Sequence, residues 1–133
     1  MLLKTLSKTV QTVLVIENER QTLNLLLEML EVEGFVAIGT DNGLLGIEQA
    51  QRQQPDVVIC DIRMPRLDGY SVLAQLRQNP STAKIPVIFL TAEATEIDNS
   101  HSGGLRADSY LQKPCTTEDI LNAIDRVTNL NDL

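Results

Sequence analysis

Asp56-Val57-Val58-Ile59-Cys60-Asp61 is the stretch on which the fold turns. Four apolar residues in a row stand between two aspartates, and Pro55 breaks the chain just ahead of them. A strand with one wet face alternates polar and apolar residues. A run that is apolar at every position suits a strand covered on both faces, as in a parallel sheet with helices above and below. The same pattern lies to either side. Val13-Leu14-Val15-Ile16 runs into the polar group Glu17-Asn18-Glu19, and Pro86 to Thr91 starts on a proline, where a strand tolerates the missing N–H. Shorter strands are expected over Phe35–Gly39 and Ala107–Leu111.

Helical spacing fills the gaps. Leu23, Leu26, Leu27 and Leu30 recur along residues 20–33, and Gly34 is a natural stop. Asp41 or Asn42 caps a helix through Leu44, Leu45, Ile47 and Ala50, which Gly43 and Gly46 weaken. Tyr70, Val72, Leu73 and Leu76 mark a third helix. A polar fourth is expected over Ala92–Ser102, ended by Gly103 and Gly104 and expected to be mobile for want of apolar residues. Thr116 or Thr117 opens the last, through Ile120, Leu121, Ile124 and Val127, with Glu118 and Asp119 at its positive end. Strand and helix alternate five times, so the expected fold is α/β: a doubly wound three-layer sandwich with a five-stranded parallel sheet and five helices.

The bulk numbers limit the function. The 133 residues are 43% hydrophobic and 22% charged, enough for one core and ordinary for a globular domain. The expected domain covers residues 10–129, with 1–9 and 130–133 as short tails. A formal net charge of −7 argues against direct contact with a nucleic-acid backbone. Cys60 and Cys115 form no close pair, which reads as two free thiols in a reducing compartment. With no long apolar run and no clear cleavage site at the start, no membrane contact is expected and the cytoplasm is the expected location. Only six residues follow Val127. The reading is therefore a stand-alone domain acting by protein contact or a piece of a longer regulator.

In an open parallel sheet, sites form beyond the C-terminal ends of the strands. Glu17 and Asn18 follow the first strand, Asp61 closes the third, Thr91 closes the fourth, and Lys113 stands just after the fifth. Together they suit phosphoryl transfer to a carboxylate. Asp61 would be the nucleophile, and Glu17 and Asp61 would help hold a hard cation such as Mg²⁺. Thr91 would donate to a phosphoryl oxygen, and Lys113 would supply a point charge. Taken singly, each has a plainer reading: a turn or cap for the aspartate, a helix cap for Thr91, a solvated charge for Lys113.

Four segments in order resemble the receiver domain of bacterial response regulators. They are Val13-Leu14-Val15-Ile16-Glu17-Asn18-Glu19, Cys60-Asp61-Ile62-Arg63-Met64-Pro65-Arg66-Leu67-Asp68-Gly69, Phe89-Leu90-Thr91-Ala92 and Ala107-Asp108-Ser109-Tyr110-Leu111-Gln112-Lys113-Pro114. The resemblance implies a CheY-like (flavodoxin-like) sheet in order 2-1-3-4-5. It implies that Asp61 is phosphorylated by a histidine kinase or phosphotransfer protein in a two-component system. The metal set it implies is Glu17, Asn18, Asp61 and the backbone carbonyl of Arg63, holding Mg²⁺. Thr91, Tyr110 and Lys113 become the phosphoryl-binding and switch residues. Pro65, Gly69 and Pro114 are structural, Pro114 after a cis bond and Gly69 permitting a turn. The output is expected through the face of the fourth helix, fifth strand and fifth helix, toward an effector protein or a second copy. Such a domain is a phosphoacceptor rather than an enzyme, with at most slow autophosphorylation and autodephosphorylation.

Asn18 departs from the family, which has a second acid there. It keeps a carbonyl oxygen but loses the charge, so weakly bound Mg²⁺ and slow, metal-hungry phosphorylation are expected. Cys115 stands where phenylalanine is common, and Arg106 where glycine is. Asn18 also supports an alternative, a pseudo-receiver that binds partners without phosphorylation; intact Asp61, Thr91 and Lys113 oppose it. A haloacid-dehalogenase-like phosphohydrolase would need a second aspartate where Arg63 stands.

Overall fold

Five parallel strands form one sheet in the computed structural model, which describes residues 10–93 and 105–129. They are β1 (Thr12–Ile16), β2 (Val36–Thr40), β3 (Val57–Asp61), β4 (Val87–Thr91) and β5 (Ser109–Gln112). The order across the sheet is β2-β1-β3-β4-β5, as the resemblance implies. All four pairings are parallel, with Val13 opposite Val57, Cys60 opposite Phe89 and Phe89 opposite Tyr110.

The helix count needs correction. Five helices are expected from the sequence; the described residues hold four, α1 (Arg20–Val32), α2 (Gly43–Gln53), α3 (Gly69–Gln78) and α4 (Thr117–Asn129). The helix expected over Ala92–Ser102 does not begin where the pattern puts it, for Ala92 lies in a bend and Glu93 is irregular. The reason is local. The Thr91 hydroxyl accepts the Glu93 N–H at 3.1 Å and donates to the Glu93 carbonyl at 3.2 Å, closing a side-chain turn in place of a first helical turn. The remainder of that expected helix, residues 94–104, lies outside the described residues, as do the expected tails 1–9 and 130–133.

Pleating sends alternate strand residues to two separate cores. Leu14, Ile16, Val58, Cys60, Val87 and Phe89 face α2 and α3, meeting Ile47, Ala50, Val72, Leu73 and Leu76. Val13, Val15, Val57, Ile59, Ile88 and Leu90 face α1 and α4, meeting Leu23, Leu26, Leu30, Ile120, Ile124 and Val127. This is why β1, β3 and β4 read as unbroken apolar runs: neither face is wet.

Side chains fix the helix starts. Asn42, not Asp41, caps α2 by accepting the Leu45 N–H at 2.8 Å. Thr116 and Asp119 bond each other's backbone N–H at 3.1 and 3.0 Å, a reciprocal box that opens α4. Gly34, at φ +97°, ends α1 in the left-handed region. No helix among the described residues is long and apolar enough to cross a membrane.

Gly69 is required for a different reason from the one its place in the loop suggests. Its φ is not positive; Gly34 is the only described glycine that has one. A Cβ on Gly69 would lie 2.6 Å from the carbonyl oxygen of Asp61 and 2.9 Å from Cα of Ile62, both backbone atoms that cannot swing aside. The N–H of Gly69 donates to the Ile62 carbonyl at 2.8 Å, so the start of α3 is tied against the end of β3. Gly69→Ala should therefore destabilise the protein by about 2 kcal/mol. Urea unfolding tests this, and an unchanged midpoint would show that the contact relaxes freely.

Candidate functional site

β1 and β3 are neighbours in register, Ile16 opposite Cys60, so the residues that follow on each strand, Glu17 and Asp61, emerge side by side at one end of the sheet. Both are buried: Glu17 is 0% exposed and Asp61 5%. Lys113 enters from beyond β5, its backbone N–H bonded to the Thr91 carbonyl at 2.7 Å. Its ammonium lies 2.7 Å from Oε1 of Glu17 and 3.4 Å from Oδ2 of Asp61. The peptide bond after it, Lys113–Pro114, is cis. The second oxygen of Glu17 accepts the N–H of Glu19 at 2.9 Å.

The electrostatics follow from burial. Two carboxylates share one ammonium, which leaves one negative charge in excess. Loss of water first, and the charge of Glu17 second, push the Asp61 carboxyl up to about 6, against the pull of Lys113. Burial works against the Lys113 ammonium, but its hydrogen bond to Glu17 and the charges of Asp61 and Glu17 win, and its pKa is raised. Cys60, the residue before Asp61 in β3, is fully buried; desolvation first and then the charges of Asp61 and Glu17 hold its thiol far above its ordinary range. Burial likewise raises Cys115, with Asp119 adding to it. Neither thiol is poised for reaction at neutral pH.

The structure gathers Glu17, Asp61 and Lys113. The other residues singled out in the sequence stand in other relations to that trio. Thr91 is buried one residue past Leu90, the register partner of Asp61, but its hydroxyl is engaged with the backbone of Glu93. Tyr110 is further away: it lies opposite Phe89, down the sheet, packs edge-on to that ring at 5.9 Å, and its hydroxyl accepts the Ala107 N–H at 3.3 Å. Asn18 is exposed. Arg63 and Pro65 lie in the exposed loop after β3, where the Arg63 guanidinium pairs with Glu93 at 3.7 Å and Arg66 has a φ of +72°.

One contributor escapes the sequence reading. Glu19 steadies Glu17 through its N–H while its own side chain caps α1, accepting from the backbone and hydroxyl of Thr22. Its signal in the sequence is the acid that closes Glu17-Asn18-Glu19. Gly69, named in the sequence for its loop, adds a close backbone approach to Asp61.

Among the described residues no three His, Cys, Asp or Glu side chains are close enough to cage a metal alone. The donors present still fit Mg²⁺, which takes one or two carboxylates and keeps several waters. Glu17 and Asp61 would supply the carboxylates, and Asn18, next to Glu17, and Arg63, two residues past Asp61, carry further oxygens. The excess negative charge that raises Asp61 is what a cation would relieve.

Residues 13–125 match the family model for the response regulator receiver domain. The chain is 34% identical over 115 residues to protein PilH of Pseudomonas aeruginosa, covering 86% of this chain and 95% of that one. It is 32% identical over 108 residues to the alkaline phosphatase synthesis transcriptional regulatory protein PhoP of Bacillus subtilis, covering 81% of this chain but only 44% of that regulator. Among solved structures it is similar to the receiver domain of the sensor histidine kinase PA1611 from Pseudomonas aeruginosa, which holds a magnesium ion in its active-site cleft. There the TM-score is 0.82, the identity 26%, and the coverage 91% of this chain and 99% of that one. A receiver domain protein from Clostridium thermocellum superposes with a TM-score of 0.81 at 29% identity, over 92% and 98% of the two chains.

Asp61 binds its proton more tightly folded than unfolded, since its pKa rises from 3.8 to about 6. Folding is therefore favoured as pH falls across that window, and stability is lost as pH rises through it. Asp61→Asn removes the repulsion and leaves Lys113 its shorter contact to Glu17. Without added metal the variant should be more stable than the parent by about 2 kcal/mol near pH 7, discounted for partial exposure, and the gap should close toward about pH 4. Urea titrations at the two pH values check this; a variant less stable at neutral pH would contradict it.

Proposed function

The chain belongs to the response regulator receiver domain family, and from that membership we propose that Asp61 is the residue that takes the phosphoryl group. A receiver domain is a phosphoacceptor in two-component signal relay, not a catalyst in its own right. The observation that carries the assignment is the Lys113 ammonium held between two buried carboxylates at the C-terminal end of the sheet. In this reading an oxygen of Asp61 forms a bond to phosphorus as the phosphorus–nitrogen bond of a phosphohistidine donor breaks, and the histidine leaves with the electron pair. The donor is a histidine kinase or a phosphotransfer protein. Water later attacks the phosphorus, the bond from phosphorus to the Asp61 oxygen breaks, and inorganic phosphate leaves while the carboxylate returns.

Each neighbour has work in that step. Lys113 balances charge on the transferred oxygens as a compact ammonium on a flexible stem. Glu17, steadied by the Glu19 N–H, joins Asp61, Asn18 and the Arg63 carbonyl as the ligands of Mg²⁺. When bound, Mg²⁺ neutralises the crowded oxygens of the transfer. Thr91 must release the Glu93 backbone before its hydroxyl can turn to a phosphoryl oxygen, and that release links phosphorylation to the loop after β4. Tyr110 is the next side chain along this path. The proposed domain spans residues 10–129, with Pro65, Gly69 and Pro114 shaping its loops.

The output face is the one carried by β5 and α4; the further helix expected beside them falls outside the described residues. Its target is an effector protein or a second copy of the chain, inside the cell, since a net charge of −7 does not suit a nucleic-acid surface. What the transcriptional regulator PhoP does with the more than half of its length that this chain does not span belongs to it.

Acetyl phosphate with Mg²⁺ should add the mass of one phosphoryl group to the protein, and none to Asp61→Asn. Equal labelling of the variant would remove Asp61 from its role, and no labelling of either would favour a receiver that works without phosphate. Asn18→Asp restores a charge at the rim and should tighten Mg²⁺ about tenfold. Calorimetry measures that gain, and an unchanged affinity would place position 18 outside the ligand set.

A further inference from the structure

α2, α3 and α4 each carry a base in the last turn, Arg52, Arg77 and Arg126, where it meets the negative end of the helix dipole. α1 carries none. Its second half holds Glu28 and Glu31 instead, with Glu33 at the cap. All three are exposed, and none forms an ion pair among the described residues. Apolar surface lies alongside them. Leu25 is 56% exposed, Val32 77%, and Val36, the first residue of β2, 58%. Leu25, Met29 and Val32 stand at i, i+4 and i+7, so they share one side of the helix. An acidic helix end beside an uncovered apolar stripe fits a partner that is both basic and apolar.

The chain itself contains such a segment. Met1-Leu2-Leu3-Lys4-Thr5-Leu6-Ser7-Lys8-Thr9 has four large apolar residues, two lysines and no acid, in a chain whose net charge is −7. It joins the fold beside the acidic end of α1. Val10 packs into the core that α1 and α4 share, and the Gln11 carbonyl accepts the N–H of Val36, just past the turn that ends α1, at 2.7 Å. The length suffices as well. Nine extended residues reach at most about 30 Å, whereas the 13 residues of α1 run for about 20 Å.

We propose that residues 1–9 run back along the outer side of α1, with their leucines over Leu25, Val32 and Val36 and their lysines beside Glu28, Glu31 and Glu33. Exposed ion pairs are weak singly, so burial of the leucines supplies the larger share and the charges fix direction. Tethering favours this occupant over a foreign one, because a joined segment meets its site at an effective concentration of about millimolar. The outer side of α1 is then closed to other proteins until the segment lifts, and a competitor needs a basic, apolar stretch of its own to displace it.

The test is paramagnetic broadening in the full chain. A nitroxide is placed on Thr5→Cys, with the half-buried Cys115 changed to serine and Cys60 left in the core. The same protein with the nitroxide reduced is the reference, so folding is checked in the same tube. Methyl signals of Leu25 and Val32 should lose most of their intensity. Those of Leu44 and Leu45, exposed on α2 across the sheet, should keep theirs. Lys4→Glu with Lys8→Glu should bring the lost signals back. Adding Glu28→Lys, Glu31→Lys and Glu33→Lys to that variant should remove them again. Equal loss at Leu44 and Leu45, no loss anywhere, or charge reversals without effect would overturn the proposal. So would loss that transfers to an isotope-enriched, unlabelled copy mixed with a nitroxide-bearing one, which would assign the surface to a second copy of the chain.

Discussion

Burying two carboxylates against each other is the constraint around which the rest of the molecule is arranged. Glu17 and Asp61 end adjacent central strands, so the parallel register that gives the sheet its dry core also forces their charges together away from water. Two buried carboxylates side by side call for a counter-charge. It comes from one ammonium, brought to the rim by β5 running parallel beside β4. Sheet order, register and the turn after β5 thus serve one electrostatic need. The charge left over is a reservoir of free energy that a divalent ion or a change at Asp61 can draw on.

The backbone around Asp61 is as constrained as its charge. Gly69 presses on the carbonyl of Asp61, and the Gly69 N–H ties the loop back to Ile62. Asp68 then caps α3 by accepting the Ser71 N–H. The loop Arg63, Met64, Pro65 and Arg66 is thereby held at both ends, with Met64 buried and the other three exposed.

Most of the fold was legible because the two-faced burial of a parallel sheet leaves so plain a mark. Val13–Ile16, Val57–Cys60 and Val87–Leu90 are apolar at every position, and the helices between them keep a clean 3.6-residue period. The correction came at Ala92 and Glu93, where a threonine hydroxyl competes for the backbone that the first turn of the expected helix would need. The trio at the site was legible by position, since strand ends in an alternating fold converge on one rim. What could not be read was which carboxylate the lysine prefers, for 2.7 Å against 3.4 Å is decided by side-chain lengths and by the Glu19 N–H rather than by spacing along the chain. Gly69 is marked in the sequence only by its place in the loop, because its close approach to the Asp61 backbone is a contact in space that spacing along the chain does not show.

Tyr70, Phe89 and Tyr110 form a line of edge-on rings, with centroids 5.5 and 5.9 Å apart, from the first turn of α3 through β4 to β5. The protein has two tyrosines and no tryptophan, and both tyrosines touch the same phenylalanine. Its near-ultraviolet absorption and emission therefore originate almost wholly in one corridor between the acceptor loop and the last strand. Ordinary spectroscopy of the unlabelled protein becomes a local gauge of how those two elements stand to one another.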